Sequence, residues 1–73
     1  MEHDIKYIQN YIWDMYKDFN KELNVTDYEN RAKALCEKYK DNQLLLNFCQ
    51  NMFVSWTPVI NRIKYVKGDS RNG

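Results

Sequence analysis

Histidine, cysteine, glycine and proline are all scarce in this chain, and each scarcity closes off a class of protein. The 73 residues hold one histidine, His3, and two cysteines, Cys36 and Cys49. A structural zinc site draws four ligands mainly from these residue types, so no zinc staple is expected. Two cysteines are too few for a disulfide-dense secreted scaffold, and they are not spaced as C-x-x-C. They read as reduced, half-buried thiols. With two glycines and one proline, the chain has no P-loop and no dinucleotide fingerprint, and G-x-S-x-G and H-E-x-x-H are equally missing. Asp14 and Asp18 share a helical face, but lysines balance them. His3 lies too near the end of the chain to serve as a base for Cys36. The expectation is a protein that is not an enzyme and takes no cofactor and no metal.

Charge is missing too, over one long stretch. Residues 42–61 contain no Asp, Glu, Lys or Arg, in a chain that is 29% charged. A membrane span would account for that, but Asn42, Gln43, Asn47, Gln50, Asn51, Ser55, Thr57 and Asn61 carry too many polar groups for hydrocarbon. Met1-Glu2-His3-Asp4 has neither the basic start nor the apolar run of a secretory signal. Asn24-Val25-Thr26 matches a glycosylation acceptor, yet without such a signal it reads as a loop before a helix. A cytoplasmic protein is expected, with no membrane association.

What is present is helical periodicity, three times over. Ile5, Ile8, Ile12, Met15 and Phe19 step by three and four, the seam of a heptad repeat. Asn20 to Val25 reads as the exit. Thr26-Asp27-Tyr28-Glu29 has the form of a capping box, which predicts a second helix with Thr26 as its N-cap. Tyr28, Ala32, Leu35 and Tyr39 form its seam, Cys36 widens it, and Asp41-Asn42 is the break. The third stripe is the longest: Leu45, Cys49, Met52, Trp56, Val59, Ile63 and Val66, flanked by Leu46, Phe53 and Ile60. Gly68 is expected to end it, leaving 69–73 as a flexible tail.

Pro58 interrupts that stripe. Thr57 could cap a new helix with Pro58 in its first turn, where proline is tolerated. Otherwise the helix continues with a kink at a cost of about 3 kcal/mol, offset by burying side chains beyond it at about 1.5–3 kcal/mol each. The apolar phase does not slip across Pro58, which favours the continuous rod. The predicted fold class is therefore all-α: a three-helix antiparallel bundle over 1–68, its third helix long and kinked or broken at Pro58. Helices with such repeats pack at about 20°. A domain this short hides only about 60% of its unfolded surface, and the third helix outruns the second. A homo-dimer or higher oligomer is expected to complete the core.

The uncharged stretch and the aromatics suggest where a partner binds. Interface cores are depleted of charge, and Asn47, Gln50 and Asn51 form the polar face opposite the seam. The alternative is a central helix partly buried on all sides. Trp13 and Tyr16 lie off the first seam and could form an exposed aromatic pair, a residue type that dominates binding hot spots. Arg62 and Lys64 supply cations. Residues 1–29 hold seven acids against three lysines, and the remainder eight Lys/Arg against three acids. A balance this near zero, with no cation in the opening turns of the third helix, makes nucleic acid an unlikely partner.

The function expected is that of a non-enzymatic binding protein whose partner is another protein. Its size, and a bias toward Asn, Lys, Tyr and Ile, suit an accessory protein of a phage or mobile element that inhibits a host defence or regulatory protein by occupying its surface. Two other readings stay open: a self-assembling structural oligomer, and an oligomer enclosing a nucleotide-like ligand between Tyr rings and Arg62/Lys64.

Overall fold

The computed structural model describes the backbone of residues 1–72 and the side chains of residues 1–68. Three helices follow one another: α1 (Glu2–Glu22), α2 (Val25–Lys38) and α3 (Gln43–Asn72). Each packs against the other two, and no strand occurs among the described residues. The all-α three-helix bundle expected from the periodicity is what the chain forms.

The seam of α1 is buried as expected, with Ile8, Ile12, Met15 and Phe19 inside and Ile5 packed at the rim. The helix outlasts its expected exit at Asn20. It ends at Leu23, which adopts the left-handed conformation at φ 56° and sends its N–H to the Phe19 carbonyl at 2.8 Å. That conformation costs a non-glycine residue roughly 1–2 kcal/mol. Leu23 and Asn24 are the whole connection, and a link this short turns α2 back alongside α1.

The start of α2 corrects the capping-box reading. Asn24, not Thr26, is the N-cap: its Oδ1 accepts from the Asp27 N–H at 2.9 Å, and the helix begins at Val25. Asparagine caps at least as well as threonine, because its short amide reaches the third helical N–H. Thr26 and Glu29 are left exposed. Asn24→Ala is therefore expected to cost about 1 kcal/mol. Thr26→Ala should cost under about 0.5 kcal/mol. Chemical denaturation of the two variants checks both values, and the opposite ranking would restore Thr26 as the cap.

Leu35 and Tyr39 of the α2 seam are buried, with Tyr28, Ala32 and Cys36 packed beside them. Three bonds register α2 against α1. Tyr39 Oη donates to Asp4 Oδ1 at 3.2 Å, Tyr11 Oη donates to the Arg31 carbonyl at 3.2 Å, and Arg31 Nη1 meets Asp18 Oδ2 at 2.7 Å. Arg31 also holds Asp27 at 3.2 Å within its own helix. The chain then turns through 39–42, and Asn42 Oδ1 caps α3 by accepting the Leu45 N–H at 3.2 Å. The break expected at Asp41-Asn42 is where the turn occurs.

In α3 the chain passes through Pro58 without interruption, so the broken form is not adopted. Thr57 does not cap a new helix: its hydroxyl donates backward to the Phe53 carbonyl at 2.7 Å. Gly68 does not end the helix either. No glycine among the described residues has a positive φ, and α3 runs on to Asn72. The tail expected over 69–73 concerns side chains, and at Gly73 a backbone, outside the described residues.

The buried face of α3 differs from the expected stripe in its second half. Leu45 and Cys49 are buried and Met52, Phe53 and Trp56 half-buried. Beyond Pro58 it is Ile60 that is buried, while Val59 and Val66 stand 41% and 46% exposed. A repeat of 3.5 residues drifts about 20° per heptad on a helix of 3.6 residues per turn. Over three heptads the inward direction moves from the Val59–Val66 line to the Ile60–Lys67 line. Lys67 confirms the direction, since its Nζ donates to the Asn20 carbonyl at the end of α1.

These bonds put α1 and α3 parallel, with α2 antiparallel to both. The molecule is a rod of 45 × 17 × 16 Å. At 1.5 Å per residue, the 14 residues of α2 span about 21 Å and the 30 of α3 about 45 Å. α3 is thus about twice as long as α2, and Val59 and Val66, exposed by 41% and 46%, lie in its second half.

Candidate functional site

The residues singled out from sequence do not converge on one place. Trp13 and Tyr16, one turn apart on α1, stack with ring centroids 5.1 Å apart. Trp56 of α3 joins them, 5.1 Å from Tyr16 and 6.3 Å from Trp13. The parallel course of α1 and α3 brings this third ring in. Tyr16 and Trp56 are half-buried and Trp13 is 50% exposed. Val59 follows Trp56 by three residues and so sits on the same side of α3. The result is an aromatic edge along the α1/α3 seam, open to solvent at Trp13 and Val59. Sequence reasoning placed Trp56 in the seam and missed its membership of the cluster. The signal was its size, because an indole at a seam position reaches past the helix it faces.

Asn47, Gln50 and Asn51 are all exposed on the outward side of α3, where Gln43 Nε2 donates to Asn47 Oδ1 at 3.0 Å. The alternative of a central helix partly buried on all sides does not hold, because Asn47, Gln50 and Asn51 are exposed. Leu44 and Val54 stand among these amides 58% and 71% exposed. Arg62 and Lys64 are exposed as well, but two residues apart on a helix they point to different sides. Arg62 lies over the Tyr65 ring at 6.0 Å. The two cations do not form a joint clamp, and no cavity is found among the described residues.

The thiols are placed for packing. Cys49 is buried and Cys36 half-buried, both free. Burial pushes the Cys49 thiol up to about 11, helped by the nearby Cys36, and burial raises Cys36 as well. A thiol held above its usual range is protonated at neutral pH and a poor nucleophile. Tyr39 is pushed up to about 12, first by burial and then by its bond to Asp4, so its hydroxyl remains a donor. His3 is exposed at the far end of α1. Among the described residues no group of three or more His, Cys, Asp or Glu side chains is placed to hold a metal, and no helix is long and apolar enough to cross a membrane.

Among the described residues the arrangement offers two surfaces and no enclosed site: an aromatic edge between α1 and α3, and an uncharged outer face of α3. No protein-family model, no curated protein and no solved structure matches this chain.

Proposed function

We propose that this chain is a non-enzymatic binding protein that works by covering a surface of another protein with its aromatic edge. The observation that carries the reading is the half-exposed indole of Trp13, held in tilted ring contact with Tyr16 and Trp56. A large ring held by two neighbours has already lost most of its rotamer freedom. Binding through it therefore costs little further ordering, the condition under which aromatic side chains become hot spots. The helical rod supplies rigidity. Its small size and its bias toward Asn, Lys, Tyr and Ile suit an accessory protein of a phage or mobile element, inhibiting a host defence or regulatory protein by steric occupation.

The test is comparative capture. The native chain and Trp13→Glu are immobilised and exposed to lysate of the organism that encodes the chain, or of its host. The exposed position should tolerate the change, which far-UV circular dichroism verifies. A specific protein retained by the native chain and weakened at least tenfold by Trp13→Glu is the expected result. Equal retention by both chains, or no specific protein with either, rejects the aromatic edge as the working surface.

A further inference from the structure

The outer face of α3 carries a second repeat. Leu44, Asn47, Asn51, Val54, Pro58, Asn61 and Tyr65 are all exposed, and they step by three, four, three, four, three and four. This is the spacing of a coiled-coil seam, and its residues remain on the solvent side of α3 although such a repeat drifts about 20° per heptad. Tyr65 is 66% exposed, as open as Leu44 and Val54. The strip is about 32 Å long at 1.5 Å per residue, and it is distinct from the aromatic edge.

We propose that this strip binds a second copy of the chain, with the two α3 helices antiparallel about a two-fold axis near Val54. The pattern is self-complementary in that direction, as an isologous two-fold contact requires. Reversing the strip about Val54 sets Leu44 against Tyr65 of the other copy, Asn47 against Asn61, Asn51 against Pro58, and Val54 against itself. Apolar positions meet apolar ones at the ends and the centre; between them Asn47 meets Asn61 and Asn51 faces Pro58. Pro58 has no N–H to give the Val54 carbonyl, and the Asn51 amide of the second copy is a donor facing that region.

Charge selects the direction. From Asn42 to Asn61 the chain itself carries no charge. Asp41 immediately precedes this stretch, and Arg62 and Lys64 follow it. A parallel pair would set Arg62 and Lys64 beside their own copies. The antiparallel pair sets them at the opposite end, toward the partner's Asp41 end. Like-charge juxtaposition is a strong discriminator between competing arrangements.

A single helix-on-helix contact is small for a specific interface, so an affinity on the order of micromolar is expected. Sedimentation equilibrium of the full chain from about 1 μM to about 1 mM reads the association. The proposal expects a monomer–dimer transition within that range. Val54→Lys places two cations at the axis and should abolish it, while its circular dichroism spectrum and stability remain those of the native monomer. Asn47→Glu discriminates direction, because the new carboxylate faces Arg62 of the other copy when the helices are antiparallel and its own counterpart when they are parallel. Tighter association by about two- to fivefold is expected. A monomer throughout the range, an unchanged dimer with Val54→Lys, or a weaker dimer with Asn47→Glu would each overturn the proposal. Since Trp13 lies on another face, Trp13→Glu should leave the dimer intact.

Discussion

Ile12→Ala should remove most of the stability of the fold at 25 °C in dilute buffer. Ile12 is 1% exposed and sits in the cluster formed by Ile8, Met15, Leu35, Tyr39, Leu45 and Cys49, which draws on all three helices. Truncating a buried isoleucine to alanine costs about 2–5 kcal/mol, the transfer of the lost carbons plus the cavity they leave. At roughly 0.05–0.15 kcal/mol per residue, native stability for a chain this size falls near 4–11 kcal/mol, and small single cores sit at the lower end, about 3–5 kcal/mol. Both thiols are free and the described residues hold no metal cluster, so no staple limits the loss. The same truncation at the open Leu44 should cost under about 1 kcal/mol. Thermal unfolding followed at 222 nm separates the two. A cooperative transition for Ile12→Ala within about 5 °C of native would mean that the stated core does not carry the fold.

The α1 seam was legible in sequence because four of its five apolar residues are buried along one side of the helix. Periodicity reports that situation directly. The α2 seam was legible for the same reason. The start of α2 was misread because two chemically sound caps, Asn24 and Thr26, lie two residues apart. Local preference could not choose between them. The αL turn at Leu23 decided it by bringing Asn24 into place. The second half of α3 was misread because a seven-residue repeat was extended along a helix of 3.6 residues per turn, where it does not keep its phase. Val59 and Val66 drifted outward while Ile60 and Lys67 turned in. The aromatic edge was half legible: Trp13 and Tyr16 form a pair by spacing alone, but Trp56 joins them only through the mutual register of α1 and α3. Nothing local to either helix encodes that register.

Pro58→Ala is expected to stabilise the protein, which is unusual for a substitution inside a helix this long. Pro58 withholds an N–H from the Val54 carbonyl, and its ring crowds that same turn, a combination that costs about 3 kcal/mol in a helix interior. One feature reduces the cost here: Val54 and Pro58 are both exposed, so water can reach the carbonyl. Alanine additionally frees the unfolded chain, which takes back about 0.4–1 kcal/mol. The net gain should be about 1–2 kcal/mol, seen as a higher midpoint at unchanged m-value in urea, measured at concentrations where the chain is monomeric. Pro58→Gly should recover about 1 kcal/mol less, because glycine is the poorer helix former. Should alanine destabilise the chain instead, proline would be an asset: the geometry it imposes would be what lets Ile60 and Ile63 reach α1.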